Sequence, residues 1–321
     1  MSDITHRRLG SSGLAISSIG LGANNFGMRL DLDDSRKVVD TALDAGITLT
    51  DTSDSYGESE TILGEVLGGR RDQVVLATKF GSRLRRDGVP PDWGARGSRR
   101  YIRQSVERSL RRLQTDWIDL YQMHYPDPAT PIEETLSALS DLVHEGKVRY
   151  IGSSNMAPWQ VVEAEWIART NGLVRFISAQ NEYSFLERGA EKELVPALQH
   201  HGIGLLPYFP LASGMLTGKY RRGEDAPADS RIAAWGMSDA LTDTRFDVVE
   251  SLEGFARQRS ITLLDVAIGG LAAQPTIGSV IAGATRPEQV LANVAAAAWT
   301  PTAEDRTELD RLAPTGVVGA R

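Results

Sequence analysis

Short apolar runs rich in β-branched residues alternate along this chain with longer amphipathic stretches, almost without a break. The runs fall at about 18–21, 47–50, 74–78, 117–123, 148–152, 175–179, 203–207 and 279–282. The stretches between them fall at about 33–45, 58–68, 98–113, 131–145, 158–171, 190–201, 245–259 with 262–273, and 286–298. Parallel strands need a crossover between them, usually a helix, and eight strands with eight crossovers close into a barrel. The expectation is an α/β fold, a (β/α)8 TIM barrel, spanning 1–321 as one domain, a length that such barrels reach with insertions. Ahead of it, RRLGSSGLAIS at 7–17 reads as a β-hairpin with Ser-Gly at its turn, plugging one end of the barrel.

Helix signals support the parse. Thr130-Pro131-Ile132-Glu133 offers an N-cap, a proline at the first helical position and a capping-box acid. Thr302 opens a final helix at about 302–312, and His144-Glu145-Gly146-Lys147 reads as a helix end with a glycine stop. Two stretches break the rhythm, 81–97 and 219–244, both polar and rich in Gly, Pro and Asp. Each follows a strand, so both are expected as long loops on the C-terminal face of the barrel, where lids and binding loops sit.

The chain carries a formal charge of −7 with acids and bases interspersed, and its basic stretches are as short as RLRRD at 83–87, so no nucleic acid is expected as a partner. No apolar run approaches the ~20 residues that span a bilayer, and the first residues lack the apolar core of a signal peptide, so a cytoplasmic protein without membrane contact is expected. The absence of cysteine removes disulfides, thiolate metal sites and cysteine nucleophiles. No metal is expected, and nothing in the sequence speaks to oligomeric state.

Four residues stand where barrel strands end: Asp51 and Tyr56 in ITLTDTSDSYGESE, Lys79 in VVLATKFG, and His124 in WIDLYQMHYPDP. In a (β/α)8 barrel those ends converge on one mouth, so the four become neighbours. Singly, each has a plain alternative: Asp51 as a turn cap, Tyr56 as a loop aromatic, His124 as a hydrogen-bonded core histidine. Lys79 resists one, since a lysine closing an apolar strand needs a charged partner or a lowered pKa. A carboxylate, a phenol, an ammonium and an imidazole at one mouth can deliver a proton to a carbonyl oxygen.

With those residues in view, DTSDSYG, ATKFG and DLYQMHYPDP closely resemble the aldo-keto reductase superfamily. The likeness continues through SSN, QNEYS, YFPLASGMLTGKY and SVIAGATRPEQVLAN, and so covers essentially the whole chain. The resemblance implies reversible reduction of an aldehyde or ketone with NADP(H), hydride passing from nicotinamide to carbonyl carbon and the proton coming from Tyr56. A free phenol has a pKa of ~10. Lys79 is expected to lower that of Tyr56, Asp51 to hold Lys79 charged, and His124 to orient the carbonyl.

No Rossmann fingerprint is present: Gly20-Leu21-Gly22-Ala23-Asn24-Asn25 lacks the third glycine, and the P-loop-like Gly214–Tyr220 has one spacer too few. The resemblance instead puts the cofactor after the later strands. Gly22 lies beside it, Ser154, Asn155 and Gln180 hold the carboxamide, and Tyr208 stacks on the nicotinamide. Leu211, Ser213, Gly214 and Lys219 surround the pyrophosphate; Gly283, Thr285, Arg286, Gln289 and Asn293 hold the adenosine end. Thr285 and Arg286 at a helix opening suit a 2′-phosphate, which favours NADP over NAD. The chain departs from many relatives at Ala292, where they carry a Glu that contacts adenine, at Phe209, and at Gly269-Gly270, which interrupt a helix at a cost of ~1 kcal/mol each against Ala.

A substrate pocket is expected from Phe26, Trp93, Tyr125 and the 219–244 loop, with a small carbonyl compound as partner. Two other readings stay open: an NADP-binding redox sensor or regulatory subunit with little turnover, and a lyase using Lys79 as a Schiff base.

Overall fold

The computed structural model describes residues 4–83, 91, 93–228 and 230–316. Strands β1 (His6–Arg8) and β2 (Ala15–Ser17) pair antiparallel. Eight further strands form one parallel sheet: β3 (Ile19–Gly22), β4 (Leu49–Asp51), β5 (Val75–Phe80), β6 (Ile118–Met123), β7 (Val148–Ser154), β8 (Phe176–Gln180), β9 (Gly204–Leu205) and β10 (Val280–Gly283). Neighbours follow chain order, and β10 returns to pair with β3, Val280 opposite Ile19. The seam between β9 and β10 is closed by a Leu205–Ile277 bridge and by the Ile281 amide donating to the Pro207 carbonyl at 3.1 Å. The expected (β/α)8 barrel with its N-terminal hairpin is the fold.

Helices α1 (Leu32–Asp44), α2 (Ser59–Leu67), α3 (Arg99–Arg112), α4 (Ile132–His144), α5 (Pro158–Asn171) and α6 (Leu194–His201) cross between the strands. They are followed by α7 (Arg231–Ala234), α8 (Asp243–Gln258), α9 (Leu263–Ala272), α10 (Pro287–Ala296) and α11 (Ala303–Leu312). None of the described helices is long and apolar enough to cross a membrane. Most apolar side chains lie in one core between this ring and the sheet.

Side chains alternate in direction along each strand, so every second residue faces the barrel interior. The interior is graded. Its floor is apolar, with Leu49, Ala77, Leu120, Leu206 and Ile281 packed against Leu9 and Ile16 of the hairpin. Leu9 reaches that depth because Gly204 and Gly278 face it; a Cβ at either would stand 2.5 or 2.4 Å from Leu9 Cδ1. One pleat above the floor the inward residues turn polar: Asp51 follows Leu49, Lys79 follows Ala77, and Gln122 follows Leu120.

Three local expectations are corrected. Thr130 does not cap α4, which starts at Ile132 after Pro131; its hydroxyl instead donates to Asp127 Oδ2 at 2.8 Å, because Asp127 lies within reach on its own turn. The run at 203–207 yields only Gly204–Leu205 as strand, since Pro207 has no N–H to give a ladder. Helix α9 runs straight through Gly269 and Gly270. Their missing side chains are a packing requirement: a Cβ on Gly269 would lie 2.5 Å from the Trp299 carbonyl oxygen, and one on Gly270 2.9 Å from the Phe185 ring. Thr302 does cap α11, reciprocally with Asp305, and Gly146 ends α4 at φ 77°.

The 81–97 stretch lies partly outside the described residues, at 84–90 and 92. The 219–244 stretch is not an open loop: it contains α7, capped by Ser230, and a short 3₁₀ turn at Ser238–Ala240.

Candidate active site

At the C-terminal end of the sheet the strands open into a cavity of about 690 Å³. Asp51 and Lys79 are the last inward residues of β4 and β5, and His124 follows β6 directly, its amide donating to the Phe80 carbonyl at 2.8 Å. Tyr56 comes from the turn after β4. Lys79 is fully buried and donates to Asp51 Oδ2 at 2.5 Å and to the Thr52 carbonyl at 2.9 Å; Tyr56 Oη lies 3.5 Å from its ammonium. The other carboxylate oxygen of Asp51 accepts from Gln122 and Gln180, each at 3.0 Å. A buried ion pair survives only when its remaining hydrogen-bonding capacity is met, and here the two glutamines meet it.

His124 stacks on Tyr125, ring centroids 5.0 Å apart, and meets Tyr56 edge-on at 5.8 Å. Its Nδ1 lies 3.1 Å from Ser53 Oγ, which is fully buried. Burial and the Lys79 charge hold its pKa well below the ordinary value, so it is a neutral imidazole. Burial would lower the Lys79 pKa, but Asp51 and Tyr56 outweigh it and the net shift is upward. The lowering expected from Lys79 acts on Tyr56 but is outweighed. Burial pushes the phenol up, Asp51 adds to it, and Lys79 only opposes them, so Tyr56 stands in its proton-carrying form.

Every residue expected on the cofactor side lines this same cavity, beside Asp51, Tyr56 and His124. Tyr208 Oη donates to Asn155 Oδ1 at 2.8 Å, and Asn155 Nδ2 donates to the His124 carbonyl at 3.0 Å, which ties the aromatic ring to the His124 end. Farther along, Ala212, Ser213 and Gly214 take φ values of 46°, 58° and 97° in succession, forming a tight concave turn. Lys219 crosses over it, so close that a Cβ on Gly214 would lie 3.0 Å from its Nζ. At the far end, the Thr285 amide donates to Gln289 Oε1 at 2.7 Å, and Arg286, exposed, is the N-cap residue of α10. Ala292 also lines the cavity, with no acid there.

The substrate side differs. Tyr125 lines the cavity. Phe26 does not: the Ala23–Leu30 turn, in which the Asn25 carbonyl accepts from Arg29 and Leu30, folds it fully into the core. Trp93 does not either; it is 67% exposed, with the Arg100 guanidinium 4.4 Å above its ring.

Sequence reasoning missed Gln122, although it lies two residues before His124 and so on the same strand face. It also missed Arg231. This guanidinium projects from α7 across the cavity, with Nη2 3.3 Å from Asn24 Oδ1 and 3.4 Å from Asn25 Oδ1, and packs against Phe209 and Trp235. Phe209, held at φ 52°, meets both Tyr208 and Trp235 edge-on and so completes that packing. Among the described residues no carboxylate pairs with Arg231, and burial together with Arg29 lowers its pKa. A cation so placed favours an anion in the cavity. No group of acids and histidines suited to a metal occurs among the described residues.

A model of the Aldo/keto reductase family matches residues 18–314. The chain is 35% identical over 308 residues to a probable voltage-gated potassium channel subunit beta of Arabidopsis thaliana, covering 91% of this chain and 90% of that one. It is 37% identical over 292 residues to the uncharacterized oxidoreductase YrpG of Bacillus subtilis, covering 88% and 87%. To the L-glyceraldehyde 3-phosphate reductase of Escherichia coli it is 33% identical over 307 residues, covering 91% and 87%.

Proposed function

This chain belongs to the aldo/keto reductase family, a family of oxidoreductases, and we propose that it reduces an aldehyde or ketone with NADPH, Tyr56 giving the proton. The observation that carries the reading is the contact chain Asp51–Lys79–Tyr56 opening beside a neutral His124.

The cavity suits a dinucleotide phosphate. One end carries the phenol and imidazole, with Tyr208 offering an aromatic face nearby. The middle carries Lys219 above a left-handed turn and Arg231 beside the Asn24 and Asn25 side-chain oxygens; the far end carries Arg286 at a helix N-terminus. When bound, the cofactor supplies a hydride. Gln180 and Asn155 orient its carboxamide, and Arg286 with Thr285 reads a 2′-phosphate.

The protein's own part is to place the carbonyl and manage the proton. His124 donates from Nε2 to the carbonyl oxygen and holds it beside Tyr56 Oη. As the carbon gains a hydride, the oxygen takes on negative charge and Tyr56 releases its proton to it. The phenolate left behind is stabilised by Lys79, whose charge Asp51 anchors, and solvent restores the proton. Regulation through bound NADP is a second reading, favoured by the relatives named as probable channel subunits.

NADPH oxidation by purified protein against aromatic, aliphatic, sugar and phosphorylated aldehydes, beside Tyr56→Phe, tests the proposal. Turnover that drops roughly 10²–10⁴-fold in the variant with NADPH binding kept supports it. Tight NADPH binding with no turnover on any carbonyl favours the regulatory reading.

A further inference from the structure

A neutral imidazole carries one proton on one of two nitrogens, and which one is set by what the other meets. His124 Nδ1 meets Ser53 Oγ, so Nε2 is the nitrogen left for the cavity. We propose that Ser53, backed by Asp54, sets the tautomer of His124 and so acts as a positioning residue for the proton donor that faces substrate. The catalytic consequence rests on the carbonyl-reductase reading; the tautomer itself does not.

One hydroxyl offers one proton and two lone pairs. Ser53 Oγ accepts the Ser55 amide at 3.2 Å and lies 3.0 Å from Ser55 Oγ, 3.1 Å from His124 Nδ1 and 3.4 Å from Asp54 Oδ1. Its single proton therefore has competing takers. If Asp54 is a carboxylate it draws that proton, Nδ1–H must donate into Ser53, and Nε2 is bare. If Asp54 is the acid it has no such claim; Ser53 donates to Nδ1 and the histidine proton sits on Nε2, ready for a carbonyl oxygen.

Asp54 is built to be the acid. It is buried, its Oδ2 has no hydrogen-bond partner, and its amide is spent on the Lys79 carbonyl. Burial and the facing Glu60 push its carboxyl up to about 8, against the pull of Arg112, the Ser53 hydroxyl and Lys79; the Tyr121 phenol, also buried, faces the same group. Below that pH the relay runs from Ser53 to Nδ1, and above it the direction reverses.

The test is nitrogen-15 NMR of the intact protein labelled at histidine; five histidines keep the ring signals separable. The expected spectrum at pH 7 has His124 as the Nε2–H tautomer, shifting toward Nδ1–H as pH rises through about 8. Ser53→Ala abolishes the pH-dependent exchange and mixes the tautomers. It lowers kcat about tenfold with the Kd for NADPH unmoved, on the scale of one misdirected hydrogen bond. Asp54→Asn, whose amide donates at every pH, holds the Nε2–H form through pH 9.5. A wild-type tautomer of Nδ1–H at pH 7, or one unmoved by both pH and Ser53→Ala, overturns the proposal. Because the spectrum needs no substrate, it decides the relay even if the protein proves to have no reductase turnover.

Discussion

Lys79 and Asp51 touch at 2.5 Å with their side chains at most 5% exposed, a charge pair sealed between a polar layer and an apolar floor. Removing one charge of such a pair strands the other. Asp51→Asn is expected to cost about 3–5 kcal/mol in urea unfolding and to lower turnover by letting the Lys79 ammonium shed its proton. A variant as stable as the parent would mean that the Thr52 carbonyl suffices to anchor the lysine.

On the proposed function, Arg286 and Arg231 would make two kinds of cofactor contact. If Arg286 reads a 2′-phosphate, Arg286→Ala should weaken NADPH by about 10–100-fold and leave NADH nearly unchanged, the span of one charged hydrogen-bond group. Arg231→Met should weaken both alike, with a smaller salt dependence than the parent's. Fluorescence titration with each nucleotide at two salt concentrations checks the pair.

The Asp54 carboxyl also predicts a stability profile. Its folded pKa stands at about 8, above the ordinary 3.8, so the folded state holds the proton more tightly than the unfolded state. That contribution is full below pH 3.8 and is lost as pH rises toward 8. Asp54→Asn removes the titration. Its unfolding free energy relative to the parent should therefore climb between pH 4 and 8 and level off above, by an amount on the order of a few kcal/mol. A difference independent of pH over that range would show that Asp54 ionises freely in the fold.

Gly269→Ala tests the packing of α9 against the Ala296–Trp299 turn. On helix propensity alone alanine is worth ~1 kcal/mol of stabilisation. Here its methyl would press into the Trp299 and Ala296 carbonyl oxygens at 2.5 and 2.7 Å, so a lower Tm is expected.

How legible was this in the sequence? Strand alternation and the strand-end residues carried the barrel and the Asp51–Tyr56–Lys79–His124 cluster, because a parallel barrel turns strand order into spatial order. The fourteen residues expected on the cofactor side meet at one cavity for the same reason. Phe26 and Trp93 went elsewhere, since a turn after a strand can point an aromatic ring into the core, the cavity or solvent, and no periodicity tells which. Arg231 was hidden by a stretch rich in Gly, Pro and Asp. Ser230 ahead of Ile232 was the available signal there, as a helix cap before a buried residue. Glycines 269 and 270 read as weakness because propensity is local, whereas the neighbours that require them come from Phe185 and Trp299. At Tyr56 Lys79 acts in the expected direction but burial outweighs it, because a sequence names its charged neighbours but not how deeply all of them are buried together.

The floor of the barrel joins distant parts of the chain. Leu9 seats itself beside Gly278, Arg7 donates to the Ala272 carbonyl at 2.7 Å, and β3 takes β10 as its neighbour. During synthesis, the first barrel strand therefore emerges some 250 residues before the strand that pairs with its outer edge, leaving that edge unsatisfied through most of translation. A ribosome-bound chain arrested before residue 272 should stay protease-sensitive throughout, and the barrel should gain its resistance in a single late step, so that assembly is governed by the arrival of one strand.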